Sequence, residues 1–91
     1  MNPEASYQIE LRRAAQKQLD KLIGRDYHVV AEAISALGRQ PRPQNVEKLA
    51  ESGLFRIRIR AFRIVYSIDD KERLVTVVKV ARRSEDTYRR L

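Results

Sequence analysis

The stretch FRIRIRAFRIVY, residues 55–66, alternates apolar and basic side chains, and that alternation leaves few folds open. A period of two belongs to a β-strand with one buried face. Phe55, Ile57 and Ile59 fall on one side, Arg56 and Arg58 on the other. With Arg60-Ala61 as a two-residue turn, a second strand returns so that Ile59 lies opposite Phe62, Ile57 opposite Ile64 and Phe55 opposite Tyr66. The apolar side needs a covering layer, because an isolated hairpin is marginal in water. On the other side Arg58 falls opposite Arg63, and like charges directly opposite in a sheet destabilise it. Lys79 and Arg83 have matching parity on a later strand. A row of this kind is either a solvated face whose long side chains splay apart, or an anion site where bound phosphate relieves the repulsion. Its density favours the anion site, with Arg60, Lys79 and Arg82 as further phosphate contacts.

The covering layer is legible upstream. Ala15, Leu19 and Leu22 form a helical stripe between polar residues, and Gly24 is a helix stop. Asp26 is a candidate N-cap for a second helix carrying Val30, Ala33, Ile34 and Leu37 at i, i+3, i+4, i+7. Gly38 and the following PRP end it. SYQIEL reads as a first strand and RLVTVVKVA as a last one, entered through the polar turn DDKE. SEDTYRRL can form a short helix with Ser84 as N-cap. The expected architecture is α+β in the order β-α-α-β-β-β, a helical hairpin packed on a twisted antiparallel sheet, with a short C-terminal helix possible. Ninety-one residues allow one such domain, 1–91, and not two.

Charge narrows the partners. The formal net charge is +7. Residues 54–91 hold eleven basic and five acidic side chains, whereas residues 1–53 are nearly balanced. Such a field attracts polyanions. There is no cysteine, hence no disulfide framework or thiolate chemistry. No apolar run is long enough to span a bilayer, and MNPEASYQIE has no basic-then-apolar signal pattern. A cytoplasmic protein without membrane contact is expected. No His/Cys/Asp/Glu cluster has metal spacing, and no glycine-rich phosphate loop is present, so no cofactor is expected. His28 reads as an ordinary surface or partly buried residue, Asp69 and Asp70 as turn formers, and Tyr7 and Tyr27 as helix-packing residues.

In order, YQIEL, AQKQLDKL, ALGRQPRPQNVEKL, GLFRIRI, FRIVYSID and VTVVKVARRSEDTYRRL resemble the RelE/ParE superfamily of bacterial toxin–antitoxin systems. The resemblance covers nearly the whole chain. It implies two helices on a twisted antiparallel sheet, in agreement with the order above. The RelE branch implies a ribosome-dependent endoribonuclease that cuts mRNA in the A site without metal. There the ribose 2′-OH attacks the adjacent phosphate and leaves a 2′,3′-cyclic phosphate and a 5′-OH. Carried over on matching positions, the implied catalytic residues are Arg56, Arg58, Arg63, Arg83 and Tyr88. Some members have lysine where this chain has Arg56 and Arg58, so lysine-based proton transfer is not available here. Arginine is a poor base. Tyr88 is then the base for the 2′-OH, with a pKa lowered by neighbouring arginines, or a residue that stacks on an RNA base, or a packing residue of a terminal helix. Ala81-Arg82 stands where relatives often have Gly-His.

The resemblance also implies a cognate antitoxin with an acidic or amphipathic segment. Operator DNA would be met only through the antitoxin complex. Two alternatives stay open at this stage: a ParE-like inhibitor of DNA gyrase on the same fold, and a non-catalytic nucleic-acid-binding module.

Overall fold

The computed structural model describes residues 6–82. The elements are β1 (Gln8–Leu11), α1 (Arg13–Asp20), α2 (Gly24–Ala36), β2 (Glu47–Leu49), β3 (Leu54–Ile59), β4 (Phe62–Asp69) and β5 (Leu74–Arg82). They build one five-stranded sheet in the order β1-β5-β4-β3-β2. Both helices lie on one face, α1 over β5 and α2 against β3.

The hairpin register is the one the alternation demands. Phe55 pairs with Tyr66, Ile57 with Ile64 and Ile59 with Phe62, while Arg58 pairs with Arg63 on the other face. A one-residue slip would turn every apolar side chain of a strand to solvent. Ile57, Ile64, Phe62 and Tyr66 are buried with Val75, Val77 and Val80 of β5. Ala15 and Leu19 of α1, and Val30 and Ile34 of α2 with the adjoining Leu37, close over them.

Three features differ from the expected order. A short strand, β2, pairs antiparallel with the start of β3. β1 runs parallel to β5, so the sheet is mixed. Parallel neighbours need a long connection, and here the whole intervening chain supplies it. The second helix begins at Gly24, with Ile23 in the capping position and no side-chain cap, so Asp26 sits in its first turn instead of capping it. Gly24, with φ +57°, opens this helix; the first ends at Asp20. The C-terminal helix expected from Ser84 onward lies outside the described residues.

A β-bulge between β4 and β5 sets what the last strand shows to solvent. Val65 pairs with Lys79, but the next residue, Tyr66, pairs with Val77, leaving Val78 as the extra residue. Continued strictly from Val75 and Val77, the alternation would place Lys79 in the core. The inserted residue shifts the phase, so Val80 is buried and Lys79 is exposed.

The segment between α2 and β2 is fastened to the sheet. The Tyr7 N–H donates to the Gly38 carbonyl at 2.6 Å. The buried Tyr66 hydroxyl donates to the Pro41 carbonyl at 2.7 Å. Arg42 donates to both carboxylate oxygens of Asp70, at 3.2 and 3.0 Å. This strap delivers the chain to β2. A Cβ at Gly38 would meet the Tyr7 carbonyl at 3.0 Å, so glycine lets the strap pass close to the backbone just before β1.

Candidate functional site

The helices cover one face of the sheet, and the arginines occupy the other. Two successive rungs carry them. In one, Glu47, Arg56, Val65 and Lys79 follow one another across β2, β3, β4 and β5. In the next, Arg58, Arg63 and Ala81 do the same across β3, β4 and β5. Arg58 and Lys79 are exposed; Arg56 and Arg63 are half-buried. The structure therefore brings Arg56, Arg58, Arg63 and Lys79 onto one surface.

Arg60 stands in the tight β3–β4 turn with φ +55°, a left-handed conformation usually given to glycine. A non-glycine residue held there costs on the order of 1–2 kcal/mol. Arg82 does not join the row. It pairs with Phe62, on the helix-bearing face, and its guanidinium carbon lies 4.8 Å from the Phe62 ring centroid. Arg83 and Tyr88 lie outside the described residues, so their placement relative to the row stays a sequence expectation.

A carboxylate is set among these arginines. The Arg56 Nε donates to Glu47 Oε1 at 3.0 Å, and Arg56 Nη2 donates to the same oxygen. The hydrogen bond and charge of Arg56 hold the Glu47 pKa below the usual carboxylate value; burial opposes them, and the charges of Arg58 and Arg63 each lower it by less than burial raises it. Glu47 is thus ion-paired with Arg56, within the field of Arg58 and Arg63. Sequence reasoning passed over it because β2 is only three residues long and reads EKL. The signal that could have found it is the interval AESG between EKL and LFR, a glycine-containing hairpin loop that puts Glu47 beside Arg56.

Asp69 and Asp70 separate in role. Asp69 accepts from the Glu72 N–H at 3.0 Å, as a turn former does. Asp70 instead accepts from the Tyr7 hydroxyl at 2.5 Å and from Arg42, and these bonds lower its pKa, Arg42 contributing most. Tyr7 titrates above its ordinary value through the hydrogen bond to Asp70. This group lies at the far end of β4 from Arg63 and belongs to the strap. His28 is exposed and edge-on to Tyr27. Among the described residues no group of His, Cys, Asp and Glu could hold a metal ion, and no helix is long and apolar enough to cross a membrane.

This arrangement offers phosphate several fixed cations and offers a proton one ionised carboxylate. Residues 9–87 match the family described as the ParE toxin of the type II toxin–antitoxin system parDE. The chain belongs to this family. It is a type II toxin of the RelE/ParE superfamily. The toxin is similar to a chain of the RelBE2 toxin–antitoxin complex of Mycobacterium tuberculosis, with a TM-score of 0.76 and 28% identity over 86% of this chain and 99% of that one. It is similar to a chain of the archaeal RelE–RelB complex of Pyrococcus horikoshii OT3, with a TM-score of 0.77 and 26% identity over 86% and 96% of the two chains. A chain of the chromosomal ParDE system of P. aeruginosa shares the fold at 13% identity, with a TM-score of 0.69 over 86% and 97%. No curated protein matches the sequence.

Proposed function

We propose that this toxin is a metal-independent endoribonuclease that cuts mRNA in the ribosomal A site. The observation that carries the reading is the pairing of Arg58 against Arg63, one rung from Arg56 and its carboxylate Glu47, on the face opposite α1 and α2. Phosphate binding converts the repulsion within that row into charge-assisted, bidentate hydrogen bonding.

The chemistry divides among these groups. The 2′-OH loses its proton to a base as its oxygen attacks phosphorus. The bond from phosphorus to the 5′-oxygen then breaks, and that oxygen takes a proton. Arg56, Arg58 and Arg63 stabilise the extra negative charge on the phosphoryl oxygens. Glu47 is placed for the base role as the ionised carboxylate beside Arg56, although its lowered pKa makes it a weaker base than an ordinary glutamate. Tyr88 then serves by stacking or by protonating the leaving oxygen, with Arg83 as a further donor to that oxygen. A cognate antitoxin bearing an acidic segment suits the same basic face. The similar RelBE2 and RelE–RelB chains come from toxin–antitoxin complexes.

A second reading has its own support. The family matched over residues 9–87 is that of ParE, so inhibition of DNA gyrase without RNA cleavage is the competing function. Expression of the toxin in cells, with mRNA integrity and the DNA-damage response followed in parallel, separates the two. Rapid codon-positioned mRNA cleavage without DNA damage is expected. Intact mRNA with DNA damage would transfer the toxin to the gyrase reading.

A further inference from the structure

The bulge in β5 leaves its mark on the free edge of that strand. β1 pairs with β5 as far as Val77, where the Arg12 N–H donates to the Val77 carbonyl at 2.9 Å. The chain then turns into α1, so β5 beyond Val77 has no strand beside it on that edge. Backbone groups of successive strand residues point to alternate edges. Val77 faces the β1 edge, so a regular strand would turn Lys79 and Ala81 to that edge and Val80 toward β4. The extra residue, Val78, reverses this. The Val80 N–H points away from β4 and donates to Gln18 Oε1 of α1 at 2.8 Å. Gln18 thus accepts a bond that the shifted phase of β5 offers and the regular phase does not.

The position matters because a bulge interrupts the ladder and re-aims the side chains beyond it. Residues 79–82 carry the β5 ends of both basic rungs: Lys79 stands with Arg56 across Val65, and Ala81 lies opposite Arg63. β4 holds this segment on one edge, and Gln18 takes the first N–H it presents on the other. Gln18 is itself well anchored. Its neighbour Leu19 and the wholly buried Ala15, one turn earlier, fix α1 against the core.

We propose that Gln18 is a positioning residue of the phosphate-binding row. By accepting from Val80 it locks the shifted phase of β5 and keeps Lys79 aimed onto the arginine face. The proposal rests on the RNA reading above and adds to it a residue on the helix-bearing side of the sheet, away from the row, that acts through Lys79. The fold does not depend on it, because the regular phase would bury Lys79 and expose Val80. Without the Gln18 acceptor, residues 79–82 are held on one edge and the Val80 N–H loses its partner. The direction of Lys79 is then no longer fixed.

The test counts phosphate contacts. Binding of a fluorescent 2′-O-methyl oligouridine, which cannot be cut, is followed by anisotropy over a range of salt concentrations with the full chain. For a single strand each phosphate contact contributes about 0.7 to the slope of log K against log salt. Lys79→Ala should lower the slope by about that amount and weaken binding several-fold. Gln18→Met, a near-isosteric helix former without the amide acceptor, should do nearly the same although it changes no charge. The double variant should bind as Lys79→Ala does, since both changes act through one contact. Gln18→Glu keeps the acceptor and should keep most of the wild-type slope. Gln18→Asn, one methylene shorter, should repeat the Met result and replaces it if the Met variant does not fold. An unchanged slope in Gln18→Met and Gln18→Asn, or losses that add in the double variant, would overturn the positioning role and leave the RNA reading standing. So would an equal fall in slope for Gln18→Glu, or no change in slope for Lys79→Ala. A wild type that binds the probe at no salt concentration would overturn both.

Discussion

Glu47 and the arginines around it make opposed demands on binding and on chemistry, and single substitutions separate them. Removing the Glu47 charge takes an anion out of a phosphate site. Glu47→Gln should therefore bind single-stranded RNA more tightly, by a few-fold, while cutting it about 10²- to 10⁴-fold more slowly, the span expected for loss of a general base. Anisotropy and single-turnover cleavage, read on the same preparation, check the split. Arg58→Thr relieves like-charge pairing with Arg63 and places a β-branched residue in a strand. It should raise stability by about 0.5 kcal/mol and reduce the salt dependence of RNA binding by close to one phosphate contact. Arg60→Gly should stabilise by roughly 0.5–1 kcal/mol, because glycine occupies φ +55° without strain. Chemical denaturation measures both. The arginines were legible in the sequence because a period of two assigns their face directly. Glu47 was not, since its role comes from a three-residue strand whose pairing no local pattern announces. Arg82 has the parity of Phe62, and only the assembled sheet shows which side of β5 it takes.

The elements differ in how much their own residues specify them. The β3–β4 hairpin needs nothing beyond alternation and a turn, and its register follows residue for residue. β5 needs more: its phase change at Val78 depends on pairing with β4, and VTVVKV alone does not say where the extra residue falls. The parallel β1–β5 pair joins the two ends of the chain and is fixed by tertiary packing, beyond the reach of a local window. The strap from Gly38 to Val46 is the element that sets β2, and through it Glu47, against Arg56. Tyr66→Phe removes a wholly buried side-chain anchor of this strap and leaves the Pro41 carbonyl without that bond. A loss of about 1–2 kcal/mol is expected, seen as a fall of several degrees in Tm, together with weaker cleavage as Glu47 loses its register. Burial raises the Tyr66 pKa to about 12. The unfolded chain ionises this tyrosine near 10, so stability is intact below that pH and falls as the pH rises from 10 toward 12. The Phe variant should lack this alkaline contribution. Asp70 acts in the opposite sense: its folded pKa is depressed, so its contribution is present above the usual aspartate value and is lost as the pH falls through the lowered one. Asp70→Asn should flatten the acid limb of the stability profile.

The protein as a unit has two unlike sheet faces. One face carries the helices and the core, where Ile64→Ala should cost about 2–5 kcal/mol because the side chain is wholly buried. The other carries the cations, with no covering layer among the described residues. The division into an apolar and a basic face was readable from the alternation, the charge asymmetry and the two helical stripes together, because an apolar sheet face needs helices to cover it. What the basic face does depends on side-chain positions across three strands, and there the sequence left RNA cleavage, gyrase inhibition and simple binding open. The decisive experiment is single-turnover cleavage on programmed ribosomes, with mRNA 5′ ends mapped for the wild type, Arg63→Ala and Glu47→Gln. The wild type should cut within the A-site codon and leave a 2′,3′-cyclic phosphate; Arg63→Ala should fail to cut, and Glu47→Gln should cut about 10²- to 10⁴-fold more slowly while still binding. Intact mRNA with the wild type, or equal cutting by all three proteins, would contradict a ribonuclease built on this arginine row.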